Sequence, residues 1–148
     1  MNAIKAIIVD VDGTIADTDH RLHHLYKTPK DWAGWNGELS QDPPKTSIIN
    51  IVTAMANSGY YVLLVTGRFN KHREQTIEWM IKNEVPFNML FMREDGDYRS
   101  DHVIKSEIYR DHINPLFEVE AVFEDRESVV EMWRGLGLQC LQVQKGNY

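Results

Sequence analysis

The sequence predicts an α/β fold of the Rossmann-like, three-layer kind. A central parallel sheet of about five strands is covered by helices on both faces, with a small lid or flap after the first strand. Two observations carry this. First, short apolar runs recur and alternate with segments of helical period: Ile7 to Val9, Tyr60 to Val65, Phe87 to Met92, Val119 to Phe123 and Leu138 to Val143. Runs this short and apolar read as strands buried on both faces. Strands alternating with helices specify right-handed crossovers and a parallel sheet. Second, three of the runs end in polar groups: Asp10 and Asp12, Thr66 and Arg68, Glu124 and Asp125. In an open parallel sheet ligands sit outside the carboxyl ends of the strands, so these three ends are expected to meet in one crevice.

Taken in order, the first strand runs into Asp10-Val11-Asp12-Gly13-Thr14. Residues 15–44 lack a clean period and hold Pro29, Pro43, Pro44, Gly34 and Gly37, so they are read as a flap beside the first strand's end. Its Trp32 and Trp35 are expected to pin the loop to the domain, stacking on a base being the alternative. Thr46 to Ser58 fits a helix stopped by Gly59, and residues 71–83 fit a second helix closed by Asn83 and Pro86. Arg93 to Asp101 is polar and turn-rich, Val103 to His112 reads as helix, and Ser128 to Arg134 as the last helix before Gly135 and Gly137.

Length and composition narrow the function. At 148 residues the chain is expected to form a single domain, 1–148. A formal net charge of −6 argues against a generic polyanion binder but leaves room for a basic pocket. The single cysteine, Cys140, excludes an intrachain disulfide and a cysteine zinc site, and its strand context predicts a buried, inert thiol. No stretch approaches the ~20 apolar residues of a membrane span, and a cytoplasmic setting is expected.

The acids carry the chemistry. Ionised carboxylates are rarely buried unpaired. If strand geometry persists, Asp10 and Asp12 point to one side, and with Glu124 and Asp125 they bring up to four negative charges to one crevice. Mg²⁺, a hard cation with oxygen ligands, relieves that charge when it shares carboxylates with a phosphate. Thr66 offers a hydroxyl, Gly67 an uncrowded N–H, Arg68 a guanidinium and Lys105 a point charge, all donors suited to a phosphoryl group. A carboxylate nucleophile can accept a phosphoryl group, and a second acid can protonate the leaving oxygen and later activate water. Asp10 is read as nucleophile, Asp12 as acid/base, and the reaction as phosphoryl transfer to water.

Asp10-Val11-Asp12-Gly13-Thr14, Thr66-Gly67-Arg68, Lys105 and Glu124-Asp125, in this order and spacing, resemble the four motifs of the haloacid dehalogenase superfamily of phosphatases. The stretches Arg93 to Lys105 and Glu124 to Val143 resemble the 3′-phosphatase domain of phage-type polynucleotide kinase/phosphatase. The resemblance implies that Asp10 is nucleophile and metal ligand, and that Asp12 is the acid/base lending its backbone carbonyl to Mg²⁺. It implies that Asp125 is a metal ligand with Glu124 beside it, and that Thr66 and Lys105 hold the phosphoryl oxygens. Arg21 and Arg68 are implied to contact substrate, and Asp101 to orient Lys105, at a helical i, i+4 spacing. Where this chain has Glu124-Asp125 the family usually has two aspartates. No Gly-x-x-x-x-Gly-Lys-Ser/Thr motif occurs, so no kinase domain is expected in this chain.

The implied activity is a Mg²⁺-dependent phosphomonoesterase working through an aspartyl-phosphate, with a 3′-phosphorylated nucleic-acid end or nucleotide as substrate. It suits a phage-encoded enzyme acting in a host cytoplasm. The alternatives are a 5′-nucleotidase or small-molecule phosphatase of the same superfamily, and a non-catalytic phosphate-binding or regulatory protein. A homo-oligomer is left open. His20, His23 and His24 are read as a surface cluster or a cationic contact from the flap rather than a metal site. Arg93, Arg99 and Lys71 are candidates for a basic rim, solvated surface being the alternative, Trp133 for the core, and Arg126 for a structural salt bridge.

Overall fold

Five parallel strands lie in the order β3-β2-β1-β4-β5 in the computed structural model, which describes residues 3–146. They are β1 (Ile4–Val9), β2 (Tyr61–Phe69), β3 (Met89–Arg93), β4 (Phe117–Arg126) and β5 (Cys140–Gly146). The helices are α1 (Trp32–Gly37), α2 (Thr46–Asn57), α3 (Arg73–Lys82), α4 (Asp101–Ile108) and α5 (Glu127–Gly135). The chain builds outward from β1 to β2 and β3, then returns to add β4 and β5 on the other side. The order therefore reverses between β1 and β4, the position at which open α/β sheets form their binding crevice.

Strand alternation builds two cores. Ile7 and Val9 of β1, with Val62 and Leu64 of β2, pack with Ile49 and Val52 of α2 and Trp79 and Met80 of α3. Ala6 and Ile8, with Leu63 and Val65, pack with Val129, Val130 and Trp133 of α5 on the other face. Trp133 is fully buried there, as its place in the sequence suggests.

The elements match the sequence expectation with three differences. β2 and β4 run on through Thr66-Gly67-Arg68 and Glu124-Asp125-Arg126, so these polar residues lie within strands, whereas β1 stops at Val9 and leaves Asp10 just beyond. The last turn of the α4 segment widens into a π-helical turn over Tyr109–Ile113. The flap is more regular than its composition suggests: it holds a 3-10 turn (Asp19–His24), then α1, then a second 3-10 turn (Leu39–Gln41). Asp31 caps α1 by accepting from the Gly34 N–H at 2.9 Å. The flap's two stems are tied together: Asp17 N–H donates to Pro43 O at 2.8 Å and Lys45 N–H to Ile15 O at 2.8 Å. Ile15, Ala16, Leu25, Trp35 and Leu39 are all buried, so the flap is packed onto the domain.

Among the described residues no helix is long and apolar enough to cross a membrane. Cys140 is 2% exposed, and burial, followed by the nearby Glu124 carboxylate, pushes its thiol up to about 11. A thiol this far above neutrality holds little thiolate. Iodoacetamide at pH 8 is therefore expected to label Cys140 only on unfolding, so mass-spectrometric labelling should follow the denaturation curve.

Candidate active site

Asp10 lies at the floor of a cleft of about 1090 Å³, lined also by Asp12, Gly67, Arg68, Lys105, Glu124 and Asp125. Lys105 projects from α4 and donates to Asp10 Oδ1 and to Glu124 Oε2, both at 2.9 Å. All three groups are buried. Burial alone would lower the lysine's pKa, but Asp10 and Glu124 outweigh it and hold the ammonium charged well above its ordinary range. Glu124 is pushed well above the usual carboxylate range by burial and by Asp10, with Lys105 opposing. Thr14 joins the group, its hydroxyl within 3.2 Å of Asp10 Oδ2 and 3.4 Å of Asp125 Oδ1.

Asp10, Glu124 and Asp125 each offer a carboxylate oxygen, and these oxygens lie within 4.8 Å of one another. Three buried carboxyl groups against one lysine crowd negative charge together, which is part of what pushes Glu124 toward its neutral form. That donor set fits a hard divalent cation such as Mg²⁺.

Asp12 belongs to a different network. Arg21 Nη2 donates to Asp12 Oδ1 at 2.6 Å, and Arg68 Nη2 does so at 2.7 Å. Behind them Asp42, 4% exposed, accepts from Arg21 Nε and Nη2 at 2.7 Å each and from Arg68 Nη2 at 3.4 Å. Burial would raise the Asp12 pKa, but the two arginines hold it far below the usual carboxylate range. Arg68 also donates to the Thr76 hydroxyl of α3, whereas Lys105 belongs to α4. The two acids therefore share the cleft but are gripped from different elements, Asp10 from α4 and Asp12 from the flap and β2. The reason is the backbone: β1 ends at Val9, and Gly13, at φ 81°, turns the chain, so simple strand alternation does not reach Asp12.

The other expected site residues fall as follows. Arg21 is completely buried, with its guanidinium carbon 3.9 Å from the Trp35 ring centroid. Thr66 is also completely buried, and its Oγ accepts from the Arg68 N–H at 3.2 Å. Gly67 reaches the cleft; a Cβ there would stand 2.6 Å from Asp101 Oδ1, which explains the glycine. Asp101 pairs with Arg93 through Oδ1 and with Arg126 through Oδ2 at 2.6 Å, while Lys105 turns to Asp10 and Glu124. Asp101 thus hydrogen-bonds two arginines and acts on Lys105 only as a nearby charge that helps hold the ammonium protonated.

The expected basic rim needs correction. Arg93 is buried and donates to the carbonyls of Gly67 at 2.8 Å and Asp97 at 2.9 Å, tying down the 94–100 loop. Arg99 is exposed but paired with Asp97 and Glu107. Only Lys71 of the three keeps an exposed place on the cleft lining without such an ion pair among the described residues. Two of the histidines bond within the flap: His20 bonds Asp42 at 2.6 Å, and His24 lies 3.1 Å from both Asp31 and Glu38, while His23 is exposed with its ring 4.0 Å from that of His24.

The profile of the polynucleotide kinase PNKP phosphatase domain matches residues 4–148. The chain belongs to this family. A protein of Autographa californica nuclear polyhedrosis virus, named as a bifunctional polynucleotide kinase/RNA ligase, is 28% identical over 134 residues, covering 89% of this chain and 18% of that protein. A chain of the Pnkp1/Rnl/Hen1 RNA repair complex superposes with a TM-score of 0.87 at 33% identity, over 99% of this chain and 44% of that one. The class C acid phosphatase of Bacillus anthracis with tungstate bound shares the fold, with a TM-score of 0.64 at 13% identity, over 84% of this chain and 53% of that one. The chain therefore spans less than half the length of the first two relatives.

For a PNKP-type phosphatase domain, the residue that sequence reasoning overlooked is Asp42. Its arginine partner Arg21 lies 21 positions away, so no local spacing points to it; the adjoining Pro43-Pro44 is the one hint that its backbone is fixed. Thr14 was visible in the motif, but its contact with Asp125, 111 positions on, was not.

Asp42→Ala leaves two buried guanidiniums short of a counter-charge, and urea unfolding is expected to register a loss of about 3–5 kcal/mol. The Asp12 pairs carry a sign in pH. Because the folded pKa lies below the ordinary 3.8, their contribution is present above that value and lost as pH falls through the folded pKa. The stability gap between wild type and Asp12→Asn should therefore be flat near neutrality and close below about pH 4, as read by urea melts across pH.

Proposed function

We propose that the chain is a Mg²⁺-dependent phosphomonoesterase that removes 3′-phosphates from nucleic-acid ends or nucleotides through an aspartyl-phosphate on Asp10. The observation that carries this reading is the division of labour at the cleft: Asp10 is held on Lys105, while Asp12, two residues on, is held separately by Arg21 and Arg68. A pure phosphate binder has no need of the second acid.

In the first step an Asp10 oxygen attacks phosphorus and the bond to the leaving 3′-oxygen breaks. Asp12 gives that oxygen its proton. In the second step Asp12 takes a proton from water, which attacks the phosphorus of the acyl phosphate, releasing phosphate and restoring Asp10. Asp12 is ionised in the free protein, as the second step requires. For the first step it must carry a proton, so substrate has to draw the arginine hydrogen bonds from Asp12 onto its own phosphoryl oxygens. Lys105 and the Gly67 N–H supply further donors at the floor. Asp10, Glu124 and Asp125 would hold Mg²⁺, which when bound offsets the charge of the carboxylates and of the phosphoryl group.

The family match and the likeness to a chain of an RNA repair complex support nucleic-acid ends as substrate. The lone buried thiol suits a reducing, cytoplasmic setting.

Phosphate release from a 3′-phosphorylated oligonucleotide should need Mg²⁺ and stop on chelation. Asp10→Asn should lose at least about a thousandfold in kcat/KM. With a labelled 3′-phosphate, acid-quenched wild type should carry the label on the protein and Asp10→Asn should not, while Asp12→Asn, lacking both the acid of the first step and the base of the second, should lose turnover as well. Wild-type-like turnover in Asp10→Asn would overturn the reading.

A further inference from the structure

The cleft is larger than its floor requires. At about 1090 Å³ it exceeds the roughly 300–1,000 Å³ of ordinary small-ligand pockets. Its lining changes character away from Asp10. The floor is charged and buried, but two other segments present aromatic rings with lysines beside them. On the flap, Trp32 is 50% exposed, and Lys30 Nζ lies 5.6 Å from its ring centroid. Beyond β2, Lys71 Nζ lies 5.6 Å from the Phe69 ring, and Phe69 meets Tyr98 edge-on at 5.6 Å. Tyr98 is 83% exposed. All five residues line the cleft.

The contrast with the other tryptophans is informative. Trp35, Trp79 and Trp133 are all at least 94% buried, each serving the core or the flap. Trp32 and Tyr98 are left in solvent on the lining of the catalytic cleft, where their rings contribute little to packing. A ring with an adjacent ammonium is suited to a nucleotide: the ring takes the base by stacking, and the lysine takes a neighbouring backbone phosphate.

We propose that Trp32 and Tyr98 are base-stacking platforms and that Lys30 and Lys71 contact the backbone, so that the substrate is a single-stranded, 3′-phosphorylated end spanning at least two nucleotides. This rests on the phosphatase reading above and deepens it. A duplex end keeps its bases paired and stacked on one another, and so cannot offer successive base faces to two platforms. A mononucleotide can engage one platform, and an ester without a base engages neither. With a net charge of −6 the chain offers a strand no general attraction, so local cations such as these two lysines have to supply it.

The test compares kcat/KM for four substrates: a 3′-phosphorylated single strand, the same end in a blunt duplex, a 3′-mononucleotide and glycerol 2-phosphate. Wild type is expected to prefer the single strand over the other three. In Trp32→Ala and Tyr98→Ala the ratio of single strand to glycerol 2-phosphate should fall by about tenfold or more each. Tyr26→Ala, an exposed tyrosine outside the cleft lining, should keep the wild-type ratio. Equal use of duplex and single strand, or an unchanged ratio in both cleft variants, would overturn the proposal. Strand binding is measured in parallel by fluorescence anisotropy of a labelled oligonucleotide, without turnover. Weakened binding in Trp32→Ala and Tyr98→Ala with no hydrolysis of any ester by wild type would sink the phosphatase reading and spare the platforms. Hydrolysis with unchanged selectivity in the variants would do the reverse.

Discussion

The site depends on one buried ammonium shared by two carboxylates. Lys105 comes from α4, Asp10 from the end of β1 and Glu124 from within β4, and each is nearly removed from water. Burying any one of these charges alone would cost several kcal/mol. Together they are tolerable, and the requirement that they meet fixes the distance between the β1–β4 pair and the helix above it. The arrangement is still unbalanced, because Asp125 adds a further carboxylate beside Asp10 and Glu124. The fold thus holds a preorganised deficit of positive charge at the point where the strand order reverses.

A second charge network works against the first without mixing with it. Asp42 anchors Arg21 and Arg68, and these hold Asp12 ionised. The flap is what makes this possible, since Arg21 and Asp42 both lie within it and Trp35 lies under the Arg21 guanidinium. The Asp42 carbonyl in turn accepts from the Trp79 indole of α3 at 2.9 Å, which ties the flap to one core. Two carboxylates two residues apart therefore experience different fields. One is aligned by a lysine and two further acids, the other by two arginines, and that difference is what suits them to the separate parts the proposed reaction gives them.

Much of this was legible in the chain. Apolar runs and turn residues located the strands, because a strand buried on both faces has little compositional freedom. The polar strand ends pointed to one crevice, because parallel topology leaves them nowhere else to go. The sequence offers Arg93 for a basic rim or for solvated surface and it is neither, since nothing in the sequence shows that the carbonyls of Gly67 and Asp97 converge on it. The resemblance links Asp101 to Lys105 and the helical spacing allows it, but the Asp101 hydrogen bonds go to Arg93 and Arg126 and only its charge reaches the lysine.

The sequence by itself determined the sheet, the family and the acids that gather at its carboxyl edge. These follow from local pattern: period, short motifs and residue type. Only the tertiary structure decided which charge faces which. It set Asp10 on Lys105 and Asp12 on two arginines, placed Asp42 behind them, buried Trp35 and left Trp32 on the cleft. Those choices are made by contacts between residues far apart in the chain. Their strength depends on burial and on the exact partner atoms, neither of which a linear pattern carries.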